Sequence, residues 1–177
     1  MEILKHFMEN PEREIHIREL AKEAKISPTT ATNYLEELKK ENLLSKEKSR
    51  NVILYKANSD NHLFKETKKY YNIKKILKSG LLDYLNQELN YPEAIILFGS
   101  YAKGENIKRS DVDIFISTES KKQVSLKEFE RKLGAEIHLF IYSKKQIEEL
   151  KVKNKELLNN VLNGIKLSGF IEVFGWN

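Results

Sequence analysis

Five consecutive apolar residues, Ala94-Ile95-Ile96-Leu97-Phe98, end abruptly at Gly99-Ser100. A run this short, without polar alternation and closed by turn residues, predicts a strand buried in a sheet. It also divides the chain. Upstream of Tyr91-Pro92 most apolar residues recur at helical spacing. Downstream they come in short blocks, and Val112–Ile116 and Ile137–Ile141 predict two further strands. With 177 residues, the chain is long enough for two small domains, each with its own core.

Composition removes several classes. The chain is 40% hydrophobic and 32% charged, the balance of a folded protein. It has no Cys, so disulfides, thiolate zinc sites, iron–sulfur clusters and cysteine nucleophiles are excluded together. The remaining metal ligands are carboxylate and imidazole, which suit Mg2+ or Mn2+. No apolar run approaches the roughly 20 residues a membrane span needs. The first residues, Met1–His6, lack the pattern of a signal peptide. A cytoplasmic protein with no membrane partner is expected. The net charge of +5 is unevenly placed: residues 1–60 carry 11 basic and 11 acidic side chains, while 61–90 are net +3 and 91–177 net +2.

In the first 60 residues, Ile3, Leu4, Phe7 and Met8 predict a helix ended by Pro11. A brief extended piece at Ile15–Ile17 leads to a second helix through Leu20, Ala21 and Ala24 to Ile26. Ser27-Pro28 is a strong start signal for a third, running to about Asn42, with Ala31, Tyr34, Leu35 and Leu38 as its buried face. Leu44–Lys48 and Val52–Lys56 predict a hairpin around Ser49-Arg50-Asn51. Two helices joined by a tight turn and followed by a hairpin are the parts of a DNA reader: a helix of this length fits the major groove, and a hairpin lays cations on phosphates. Thr29, Thr30 and Asn33 are the candidate base readers, and Lys46, Lys48 and Arg50 the candidate phosphate contacts. The segment Ile17–Lys56 resembles the winged helix-turn-helix domains of prokaryotic regulators of the ArsR and MarR kind. That resemblance implies double-stranded DNA as partner, a role in transcription, and a homodimer. Residues 61–90, helical with a break near Ser79-Gly80, are expected to form a connector.

In residues 91–177 the chemistry lies in Leu97-Phe-Gly-Ser-Tyr-Ala-Lys-Gly104 and Ser110-Asp-Val-Asp-Ile-Phe115. A strand ending in Gly-Ser at the opening of a helix offers backbone N–H groups and a hydroxyl to a triphosphate. Asp111 and Asp113, two apart on a strand, place both carboxylates on one face, where they repel unless a cation lies between them. Glu136 is the next carboxylate, with His138 two residues further on the same face. Segments 125–133 and 144–163 are helical in composition, and 165–176 mixes β-branched and aromatic residues.

Gly-Ser followed eleven residues after the Ser by Asp-x-Asp resembles the nucleotidyltransferase superfamily typified by DNA polymerase β. The likeness is greatest to the small prokaryotic minimal nucleotidyltransferases, over about Pro92 to Ile141. It implies two-metal nucleotidyl transfer from a nucleoside triphosphate. Gly99 and Ser100 would hold the phosphates, Lys103 or Arg109 would neutralise charge, and Asp111 and Asp113 would hold Mg2+. The third family carboxylate aligns with His138, so Glu136 stands in as the third catalytic acid or the domain only binds nucleotide. Small relatives of this type act as antitoxins on a toxin partner, which makes a protein or RNA hydroxyl an alternative acceptor. The expected fold class is α+β: a helical, winged helix-turn-helix N-terminal domain and a small α/β nucleotidyltransferase-like domain with a mixed sheet.

Overall fold

The computed structural model describes residues 2–49 and 52–173. The chain divides into two compact units at Lys68/Lys69. Both are mixed α and β, as the fold class requires.

In the first unit, α1 (Glu2–Glu9) stops before Pro11, and Ile3, Leu4, Phe7 and Met8 are buried. The two-residue strand β1 (Ile15–His16) leads into α2 (Ile17–Glu23). His16 caps this helix, its Nδ1 accepting the Arg18 N–H at 3.2 Å. The helix ends three residues before the expected Ile26, because Lys25 turns to a positive φ of 55° and the Ile26 N–H closes back on the Ala21 carbonyl. Ser27 then caps α3 (Pro28–Lys40), accepting the Thr30 N–H at 3.0 Å, with Pro28 in the first turn.

Ala31 and Leu35 of α3 are fully buried, but Tyr34, expected beside them, is 50% exposed. Each residue step turns the side chain by about 100°, so Tyr34 lies over the rim of a stripe centred between Ala31 and Leu35. Strands β2 (Leu44–Ser49) and β3 (Val52–Ala57) form the hairpin, and β1 joins it in an antiparallel sheet of order β1-β3-β2. Arg50, expected at the turn, lies outside the described residues.

Helix α4 (His62–Ser79) runs through the division between the units, and Gly80, at φ 82°, separates it from α5 (Leu81–Glu88). A stripe at helical spacing along α4, comprising Lys68, Asn72, Ile76 and Ser79, is buried. Burial pushes the Lys68 ammonium down to about 8.

The second unit is built on a four-stranded sheet of β4 (Ala94–Phe98), β5 (Val112–Ser117), β6 (Ile137–Tyr142) and β7 (Ile165–Gly169), in the order β6-β5-β4-β7. β5 and β6 are parallel and the other pairs antiparallel, giving the expected mixed sheet. Ile95, Leu97, Val112, Ile114 and Ile116 pack on one face with Ile76, Leu81 and Leu85 and with Phe129 and Leu133 of α7 (Lys127–Leu133). Ile96, Phe98 and Phe115 pack on the other with Ile147 and Leu150 of α8 (Lys144–Lys153) and Leu158 and Val161 of α9 (Lys155–Leu162). Helices therefore cover both faces, which is why β4 has no polar residue.

The helix expected over 144–163 is two helices. Asn154 leaves helical geometry at φ −148° and its side chain caps α9 by accepting the Leu157 N–H at 3.0 Å, a role for which asparagine is well suited. Among the described residues no helix is long and apolar enough to cross a membrane.

Candidate active site and nucleic-acid interface

The antiparallel register sets Phe98 opposite Asp113, and the parallel register sets Asp113 beside His138. The last residue of β4, the start of β5 and the start of β6 therefore meet at one end of the sheet. Phe98 and Phe140, edge to face with centroids 5.1 Å apart, share the same face. Gly99 follows at a positive φ of 70°, and a Cβ built on it would overlap Asp113 Oδ2. No other residue fits there without displacing that carboxylate. Next come the five-residue helix α6 (Gly99–Lys103) and Gly104, which closes it at φ 69°. The hydroxyl of Ser100 has no hydrogen-bond partner among the described residues.

The loop that returns to β5 is pinned from beneath. Asn72 of α4 donates to the Tyr101 carbonyl and to Asn106 Oδ1, both at 2.9 Å, and both asparagines are buried. Ser110 accepts the Ile107 N–H at 2.9 Å and donates its own N–H to the Ile107 carbonyl, a tight closure just before Asp111. Burial pushes the Tyr101 phenol up, the hydrogen bond with Asn106 pulls it down, and nearby Asp111 pushes it up again. Asn72, Tyr101 and Asn106 belong to no motif that sequence reasoning singles out. The available signal is Asn72 four residues before the apolar Ile76, which places it on the same face of α4.

The carboxylates converge without a strong cation to offset them. His138 Nδ1 lies 3.8 Å from Asp111 Oδ2 and 3.7 Å from Asp113 Oδ1, while its Nε2 lies 3.9 Å from Glu136 Oε2. Donor atoms of Asp111, Glu136 and His138 all lie within 4.8 Å of one another. Glu136 is the most open, its side chain 79% exposed. Burial pushes the Asp113 carboxyl up, His138 pulls it down, and Asp111 pushes it up. No Lys or Arg among the described residues pairs with Asp111 or Asp113, and Lys103 and Arg109 are exposed on the adjoining segment without ion-pair partners among those residues. Asp111 and Asp113 both face His138 Nδ1, and the donor atoms of Asp111, Glu136 and His138 lie close enough together to suit a divalent cation.

In the first unit, Thr29 and Asn33 are exposed on α3. Thr30 is held within the helix cap, its hydroxyl 2.8 Å from that of Ser27. Lys48 is exposed and unpaired among the described residues. Lys46 instead donates to Glu36 Oε1 at 2.6 Å and lies 5.7 Å from the Tyr55 ring centroid, and the Tyr55 hydroxyl donates to the same oxygen at 2.5 Å. Lys46, and then Tyr55, hold the Glu36 carboxyl below its ordinary range.

The folds of the two units are those of a nucleotidyltransferase domain and a winged helix-turn-helix. A model of the nucleotidyltransferase domain matches residues 78–166, about half of the chain, and a model of winged helix-turn-helix DNA-binding matches residues 1–45. The chain belongs to the nucleotidyltransferase domain family and carries an N-terminal winged helix-turn-helix DNA-binding domain. No curated protein matches it closely enough to serve as a relative.

Proposed function

We propose that the chain is a DNA-binding transcriptional regulator whose second domain binds a nucleoside triphosphate with a divalent cation, Mg2+ or Mn2+, and transfers its nucleotidyl group to a hydroxyl. The observation that carries this reading is the packing of Asp113 against Gly99, which brings paired carboxylates to the turn that presents Ser100. Asp111 and Asp113 would hold the cation, which when bound supplies charge neutralisation and orients the reacting groups. Gly99 leaves room for both the carboxylate and a phosphate, and Ser100 offers an uncommitted hydroxyl to the β- and γ-phosphates. Lys103 or Arg109 would neutralise phosphate charge. The acceptor hydroxyl loses its proton to solvent as its oxygen attacks the α-phosphorus, the α–β phosphoanhydride bond breaks, and pyrophosphate leaves. In the first domain, Thr29, Thr30 and Asn33 would read bases while Lys48 and Arg50, with Lys46, meet phosphates of duplex DNA, the protein acting as a homodimer.

Incubation with each α-labelled triphosphate and Mg2+ or Mn2+ tests the catalytic half. Label should pass to an acceptor, be abolished by EDTA, and fall by about three orders of magnitude in Asp111→Ala or Asp113→Ala, the several kcal/mol a metal site contributes. Triphosphate binding without any transfer would restrict the domain to sensing. Salt-dependent retardation of duplex DNA tests the first half.

A further inference from the structure

We infer that His138 supplies an imidazole ligand to the cation held by Asp111 and Asp113, so that the site selects Mn2+ over Mg2+. The inference rests on the reading of this site as a cation site and adds the identity of the ion. Its basis is the orientation of the ring. Nδ1 faces both aspartates, at 3.8 and 3.7 Å, and Nε2 faces Glu136 at 3.9 Å. Donors around a six-coordinate ion with bonds of about 2.1 Å are separated by about 3.0 Å when adjacent and about 4.2 Å when opposite. Both Nδ1 separations lie between these two values, so a shift of about half an ångström brings the ring and either carboxylate to an opposite-donor spacing.

The backbone supports the placement. His138 is in register with Asp113 on the neighbouring parallel strand, and the Val112 N–H donates to the Glu136 carbonyl at 2.8 Å, which fixes the start of β6 against the start of β5. The ring is therefore set by the sheet, and Glu136 joins Asp111 and His138 in one group of donor atoms lying within 4.8 Å of one another. At 3.9 Å from Nε2, Glu136 is too far to hydrogen-bond the ring, and its carboxylate is a further oxygen donor beside the same group. Mg2+ takes oxygen ligands and keeps its water, whereas imidazole adds affinity for Mn2+ and later first-row ions. Replacing one oxygen donor by nitrogen therefore tilts the site away from Mg2+.

The experiment uses the full chain without nucleotide. Mn2+ binding is followed by the loss of the free-ion electron paramagnetic resonance signal, Mg2+ by competition, and nitrogen ligation by 14N modulation of the bound-ion echo. The wild type should show the 14N modulation and prefer Mn2+ over Mg2+ by at least about tenfold. His138→Asp should bind Mn2+ without the modulation and lose most of that preference. Glu136→Gln should keep the modulation and bind more weakly, by about tenfold. Mn2+ bound in an Asp111- and Asp113-dependent manner without 14N modulation, or a preference unchanged in His138→Asp, would overturn the assignment of His138 and leave the cation site standing. No binding, or binding indifferent to both aspartates, would overturn the cation site as well.

Discussion

Two charged clusters, one in each unit, are built in opposite ways. In the winged helix-turn-helix, two cations are neutralised within the unit: Arg13 bridges Glu19 and Glu23, and Lys46 is held by Glu36. In the nucleotidyltransferase domain, Asp111 and Asp113 are brought together with only an imidazole facing them. The first arrangement satisfies its charges on folding. The second leaves a charge for something else to complete, at a cost in stability that the surrounding sheet absorbs.

The strongest way to break this contrast is at Gly99. Gly99→Ala meets both a left-handed backbone, which costs roughly 1–2 kcal/mol, and a clash with Asp113 that adds roughly 1–3 kcal/mol. Denaturant unfolding should show the sum. In an Asp113→Ala background only the backbone part should remain, and a cycle without coupling would refute the packing.

Asp113 itself should be destabilising in the metal-free protein. Its folded pKa is raised, so the folded state holds the proton more tightly and stability falls as pH rises from the ordinary carboxylate range through the raised value. Asp113→Asn should therefore raise the melting temperature at pH 7 and lose that gain in acid. Saturating divalent cation should stabilise the wild type and not the variant.

Glu36 should behave in the reverse sense. Its pKa is lowered, so its contribution is present above the ordinary carboxylate range and lost as pH falls through the lowered value. Because the pair is partly exposed, Glu36→Gln should cost under about 1 kcal/mol at pH 7. The smallest effects concern DNA. Lys48→Gln should reduce the salt slope of binding by about 1. Lys46→Gln should reduce it less, since that ammonium already has a partner. Equal losses would show that DNA displaces Glu36 from Lys46.

The site is legible in the sequence to different depths. Asp111 and Asp113 can be placed on one face because strand periodicity is 2, and Gly-Ser at the end of an unbroken apolar run marks the turn beside them. Strand partners are not legible: that His138 stands beside Asp113 follows from a parallel pairing, a long-range choice no local pattern encodes. The same limit hides the Asn72–Asn106 contact, between residues 34 apart in the chain. Tyr34 reads as core because its hydrophobicity outweighs its angle on the helix. The division at Asn154 escapes a reading of composition because Lys, Glu, Leu and Asn on both sides all suit a helix, while the side-chain cap that breaks it is a matter of conformation.

The fit between Gly99 and Asp113 also gives the site a direction in time. A descendant that lost the carboxylate would accept a larger residue at position 99 at the cost of the left-handed backbone alone, but once it had done so the aspartate would return at a penalty, because its oxygen would find a methyl group in its place. Loss of this centre takes one substitution, whereas recovery without that penalty then takes two in a fixed order, glycine first, so the site works as a ratchet that turns easily only toward inactivity.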